Sequence, residues 1–122
     1  MSVTLYHNPR CSKSRAALAL LEAHSAEVEL RLYLEQGPSL KELEQLLGML
    51  GMLGMLGMED ARSLMRKGEE AYKSQGLADT QLSQYELLTA MVNYPKLIER
   101  PIAIHQGQAR IGRPPEAVLE IL

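Results

Sequence analysis

The stretch Tyr6-His7-Asn8-Pro9-Arg10-Cys11-Ser12-Lys13-Ser14-Arg15 decides how this chain is read, and it holds the single cysteine of the sequence. Val3 to Tyr6 upstream alternates as a strand does, and Ala16 to Glu22 downstream has helical spacing. A strand, a tight loop and a helix start therefore meet at one sulfur. A thiol at such a junction faces the positive end of a helix dipole and a row of unpaired backbone N–H groups. Both favour the thiolate, which is the nucleophilic form. Arg10, Lys13 and Arg15 add positive charge nearby. The same N–H groups can cradle an oxyanion. The alternative is an inert buried cysteine. Core cysteines sit among apolar neighbours, whereas this one is flanked by Arg10 and Ser12, so a reactive thiol is expected.

The totals narrow the class. At 122 residues the chain is expected to form one domain with a real core. Hydrophobic residues make up 46% and charged residues 23%, which excludes a disordered chain. With no Trp or Phe, five Tyr are the only large rings in an otherwise aliphatic core. A net charge of -2 argues against a general nucleic-acid binder, so any anion site must be a local cluster. One cysteine excludes an internal disulfide and a cysteine-based zinc cage, and it fits a reducing cytosol. A strand pattern begins almost at the first residue, without a signal peptide, and no apolar run reaches the ~20 residues that span a bilayer. A cytoplasmic monomer with no bound metal or cofactor is expected.

Outward from the cysteine, Val3 to His7 is predicted as a strand, Ser12 to about His24 as a helix, and Glu27 to Tyr33 as a second strand with one polar face. Strand, helix, strand at this spacing is a βαβ unit with parallel strands. Ser39 and Glu42 form a capping box, and a helix continues through Leu43, Leu46 and Leu47. Gly48 to Met58 is a three-residue Gly-Met-Leu repeat, in which each Gly costs a helix ~1 kcal/mol relative to Ala. A frayed or looped surface segment is expected there. Glu59-Asp60 is predicted to open a further helix through Ala61, Leu64 and Met65, with Arg66-Lys67 at its end and Gly68 as its stop. A short helix comes next, over Glu69 to Gln75. A second capping box, Ser83 with Glu86, starts a helix to about Tyr94. Ile102 to Ile104 and Ala109 to Ile111 are expected to form a hairpin, and Glu116 to Ile121 a final helix behind Pro115. The expected fold is α/β: a β-α-β and a β-β-α part in one four-stranded mixed sheet, with a helical insertion over about 39–95.

Three motifs, in order, carry a resemblance. They are His7-Asn8-Pro9-Arg10-Cys11-Ser12-Lys13-Ser14-Arg15, Leu97-Ile98-Glu99-Arg100-Pro101-Ile102 and Ile111-Gly112-Arg113-Pro114-Pro115-Glu116. Together they resemble the ArsC family, the glutaredoxin-dependent arsenate reductases of the thioredoxin-like fold, over nearly the whole chain. Ala61 to Lys67 is similar to that family's segment bearing an active-site arginine. The resemblance implies Cys11 as nucleophile and Arg66, Arg100 and Arg113 as the oxyanion-binding cluster. It also implies that His7, Ser14 and Arg15 tune the thiolate and that Pro101 is the cis proline of the fold. Two departures stand out. The segment before Arg66 is longer than the family's by about six residues, which in a continuous helix would rotate the downstream residues by about 600°. Arg62 is the substitute should that register shift. The chain also stops soon after its last helix, which resembles the short chromosomal branch of the family.

The resemblance further implies arsenate as the substrate, glutathione as co-substrate and glutaredoxin as the protein partner. Ser14 stands where a CxxC motif has its second cysteine, which supports a one-thiol cycle resolved from outside. Two rivals are a glutathione-dependent thiol reductase with another substrate and a non-enzymatic redox or transcription regulator. The regulators of this type carry a cysteine pair that is missing here. His24 and His105 have no metal-ligand spacing and are expected to be ordinary structural residues.

Overall fold

The structure is a computed structural model that describes residues 2–24, 27–51 and 61–122. The chain divides into two units, Met1–Gln36 with Arg100–Leu122, and Gly37–Glu99.

The first unit holds the sheet. Strand β1 (Ser2–Tyr6), helix α1 (Ser12–Ala23) and strand β2 (Glu27–Arg31) form the βαβ unit, and β3 (Ile102–His105) and β4 (Gln108–Ile111) form the hairpin. The strand order is β2-β1-β3-β4; β1 and β2 are parallel and the other two pairings antiparallel. This is the thioredoxin-like arrangement. Alternation sends Val3 and Leu5 to one face, where they join Ala103 from β3, Ala17 and Leu21 from α1, and Val118 and Ile121. Each fully buried leucine here contributes roughly 1.5–3 kcal/mol. Leu30 lies opposite Leu5 but is 44% exposed, because β2 is an edge strand. The hairpin turn uses Gln106 at φ 50° and Gly107 at φ 76°; paired positive φ values match the twist of the flanking strands.

The last element differs from the α-helix expected. Pro115–Ile121 is a 3₁₀ helix, entered through two prolines that cannot donate backbone hydrogen bonds. Its three-residue period puts Val118 and Ile121 on one side, and both are buried. His105 Nδ1 meets the carbonyl of Ile121 at 2.7 Å, and Arg110 pairs with Glu120 at 2.8 Å, fastening this segment to the hairpin.

The second unit is helical. Helix α2 (Leu40–Gly51) starts with the reciprocal bonds of the Ser39–Glu42 capping box, both 3.1 Å, and buries Leu43 and Leu46. It runs on through Gly48 to Gly51, further into the repeat than the glycine cost predicts. Once a helix is nucleated and anchored, each added residue gains a backbone bond. The rest of the repeat lies outside the described residues.

The predicted helix through Arg66 is also corrected. Ala61–Leu64 is a single 3₁₀ turn, after which Met65 bridges Ile98 in an antiparallel sense. Arg66 N–H donates to Leu97 O at 2.7 Å, and Glu99 N–H to Leu64 O at 2.6 Å. These long-range backbone bonds replace the i→i−4 bonds that an α-helix would have needed. Helix α3 (Glu70–Ser74) comes next and the chain turns at Gly76, φ 61°. Helix α4 (Gln84–Asn93) carries the second capping box, with Leu87, Leu88 and Met91 buried. Pro95–Leu97 is a 3₁₀ turn leading to Arg100.

Candidate active site

Sheet topology brings the three motifs to one end of the first unit. Tyr6 pairs with Ile102, and Ile102 pairs with Ile111. The residues just after β1, just before β3 and just after β4 therefore leave the sheet on the same side. They are the cysteine loop, Arg100-Pro101 and Gly112-Arg113.

The cysteine loop is held from within. Cys11 N–H donates to Asn8 O at 3.0 Å, closing a β-turn with Asn at its first position and Pro at its second. Asn8 Oδ1 accepts from Arg10 N–H at 3.0 Å, and Arg15 Nη1 donates to Pro9 O at 2.8 Å. Cys11 is the N-cap of α1, extended at φ −94° and ψ 123°, and is partly exposed. Its sulfur makes no capping hydrogen bond, so the start of a twelve-residue helix lies beside a thiol that does not satisfy it. The positive end of the dipole acts there.

Beneath the loop is a buried polar pair. His7 is 5% exposed and Ser14 is fully buried. His7 Nδ1 and Ser14 Oγ share a 2.6 Å hydrogen bond, and Ser14 Oγ accepts from Asn8 N–H at 3.1 Å. Burial, with the charge of Arg15 adding to it, lowers the pKa of His7 below 6.5. The imidazole is thus neutral near neutral pH. The hydroxyl of Ser14 ties the end of β1 to the first turn of α1.

The Arg100–Pro101 peptide is cis, and so is Arg113–Pro114. Gly112 N–H donates to Pro101 O at 2.8 Å. A Cβ on Gly112 would lie 2.6 Å from Pro101 Cγ and 3.1 Å from Val118 Cγ1, so only glycine lets these segments approach. Arg113 Nε donates to Arg100 O at 3.2 Å. Arg100 is the unusual member. Its Nε and Nη1 are buried and have no hydrogen-bond partner among the described residues, so the carboxylate of Glu99 does not take them. Leaving such donors unmatched costs about 1–3 kcal/mol each, and more when charged.

Arg66 belongs to the second unit, where its Nη1 pairs with Glu69 Oε2 at 2.9 Å. Arg62 donates to the carbonyls of Leu77 and Asp79 at 2.9 and 2.6 Å, a loop-stabilising role that leaves it a poor substitute for Arg66. His24 Nδ1 is bonded to Leu20 O at 2.9 Å, and His105 to Ile121 O, as ordinary structural histidines are. Sequence reasoning passed over Asn8, Gly112 and Glu69. The Asn-Pro dipeptide signals a turn and could have marked Asn8. No local signal marks the other two.

Comparison with known proteins identifies the family. The chain is 52% identical over 120 residues to the uncharacterized protein YfgD of Escherichia coli (strain K12), covering 98% of this chain and 96% of that one. It is 48% identical to the arsenate reductase of Haemophilus influenzae over the full length of both. The solved structure of an arsenate reductase from Vibrio cholerae superposes with a TM-score of 0.91 at 53% identity, covering 100% of this chain and 98% of that one. The model of the ArsC family matches residues 6–121, and with the full-length relatives this establishes that the chain belongs to the ArsC family.

Proposed function

We propose that this chain is an arsenate reductase. In this reading Cys11 attacks arsenate bound by Arg66, Arg100 and Arg113, and glutathione and glutaredoxin supply the reducing thiols. The observation that carries the reading is Arg100. Two buried guanidinium nitrogens, Nε and Nη1, without a partner among the described residues are costly unless an anion completes them, and the planar fork suits a tetrahedral oxyanion. Arg113 is oriented through Arg100 O, and the backbone of Arg66 is tied to Leu97, three residues upstream of Arg100 in the chain.

The thiolate adds to arsenic and an arsenate oxygen leaves as water, giving a cysteinyl–arsenic(V) adduct. Ser14 cannot act as a resolving thiol and is engaged with His7 and Asn8. Two external thiols then each lose one electron, form one disulfide and reduce arsenic(V) to arsenic(III) with release of a second water. One water hydrolyses the Cys11–arsenic(III) bond, returning the thiol and freeing arsenite. One arsenate and two thiols thus give one arsenite, one disulfide and one water. His7, neutral and hydrogen-bonded to Ser14, keeps the loop in place beneath the sulfur, while Arg15 holds it through Pro9.

The test is arsenite production by purified protein supplied with arsenate and glutathione, with and without glutaredoxin. Arsenite that requires both thiol components is expected. A thiol that exchanges with glutathione while no arsenite appears would instead support a reductase for another substrate.

A further inference from the structure

The contact between Arg66 and Glu69 has a geometry that helix capping does not explain. Glu69 is the N-cap of α3 at φ −73° and ψ 143°, yet its side chain makes no capping bond. Short side chains such as Ser, Asp or Asn serve that position better. The carboxylate instead turns back to Arg66 Nη1 at 2.9 Å, while Glu69 N–H donates to Arg66 O at 3.1 Å. Backbone and side chain thus hold the two residues face to face across the Arg66-Lys67-Gly68-Glu69 turn. Both side chains are partly buried, at 34% and 25% exposure. Among the described residues, Arg66 has no other side-chain partner.

We infer that Glu69 sets the affinity of the oxyanion site: its carboxylate competes with the tetrahedral anion for the Arg66 guanidinium. The inference rests on the proposed role of Arg66 in anion binding. The bond to Glu69 uses one terminal nitrogen, so the guanidinium fork is not filled from both sides. An incoming anion meets a cation already partly neutralised, and a carboxylate that repels it. The penalty grows with the guest's charge, so a dianion is disfavoured more than a monoanion. Glu69 is therefore a specificity-determining residue that acts through Arg66, without touching the reacting atoms.

Calorimetric titration of the full chain with inorganic arsenate, and separately with inorganic phosphate, tests this. Glu69→Gln should bind both anions about threefold to tenfold more tightly. Glu69→Asp, which keeps the charge, should stay near the wild type. In turnover, Glu69→Gln should lower KM for arsenate without raising kcat, whereas a residue that merely supports the fold would raise KM or lower kcat alone. Unchanged or weaker binding by Glu69→Gln overturns the inference. Should that variant fail to fold, Glu69→Met replaces it with the same expectation. Absence of arsenate binding by the wild type overturns both the inference and the anion site. Binding without arsenite production overturns the reductase reading and leaves the role of Glu69 standing.

Discussion

The loop 7–15 and the stretch 61–69 both supply residues to the proposed chemistry, but they are held in opposite ways. In the loop, His7, Asn8, Pro9, Arg10, Cys11, Ser14 and Arg15 bond to one another within seven positions, and His7 N–H also donates to Arg31 O of the neighbouring strand at 3.0 Å, continuing the ladder of the sheet. The second stretch is held by distant partners: Leu97 and Glu99 for the backbone around Arg66, Leu77 and Asp79 for Arg62, Gln84 for Ala61. A loop closed mostly from within takes most of its shape from its own sequence. A stretch pinned from afar takes its conformation from the fold, and its own helical pattern is overruled.

The sharpest test of this contrast is Cys11→Ser. The loop needs no bond from the sulfur, so the variant should lose arsenate reduction to background while its thermal unfolding stays where it was. Residual turnover would break the one-thiol scheme. Next in size is a pair of arginine variants. Arg100→Met removes two buried guanidinium nitrogens that have no partner among the described residues, so stability should hold or rise while kcat/KM for arsenate falls about 10- to 100-fold. Arg66→Met should also weaken arsenate binding, but it strands the carboxylate of Glu69 and should lower stability by up to ~1 kcal/mol. Equal stability changes in the two would erase the distinction between a guanidinium with two unmatched nitrogens and one paired with a carboxylate.

A third test addresses the contact that joins the two later motifs. Gly112→Ala places a methyl group 2.6 Å from Pro101 Cγ, so urea denaturation should show a loss of about 1–3 kcal/mol, with reduced activity as Pro101 is pushed aside. The smallest effect is expected from pH. Because the folded pKa of His7 lies below 6.5, the unfolded chain takes up the proton first as pH falls. The stability held above pH 6.5 should therefore decline as pH drops through 6.5 toward the folded-state value, and then level off. Urea midpoints measured for the wild type and for His7→Gln should differ in slope over that window. Parallel curves would remove His7 as a buried neutral group.

How far each element was legible from the residues alone tracks the range of the interactions that make it. Alternation in β1, the helical spacing of α1 and both capping boxes are set by residues within four positions of one another, and each appears where the pattern puts it. The turn at Asn8-Pro9 belongs to the same class. The helix expected through Arg66 failed because Met65 and Arg66 found backbone partners more than thirty positions away, which no local pattern announces. The final 3₁₀ helix is intermediate: Pro114 and Pro115 were visible, but the choice of a three-residue period was made by the core that Val118 and Ile121 enter.

Residue order was enough to specify the βαβ frame, the cysteine at a helix start and the hairpin, because strand and helix periodicity and helix capping act over a few residues. It took the folded chain to bury Nε and Nη1 of Arg100 without a partner among the described residues, to bar a side chain from Gly112 beside Pro101, and to turn Arg66 toward Glu69 at the end of a bridged segment. Burial, close approach and backbone bridging each depend on chain segments meeting in space, and pattern along the chain does not encode which segments meet.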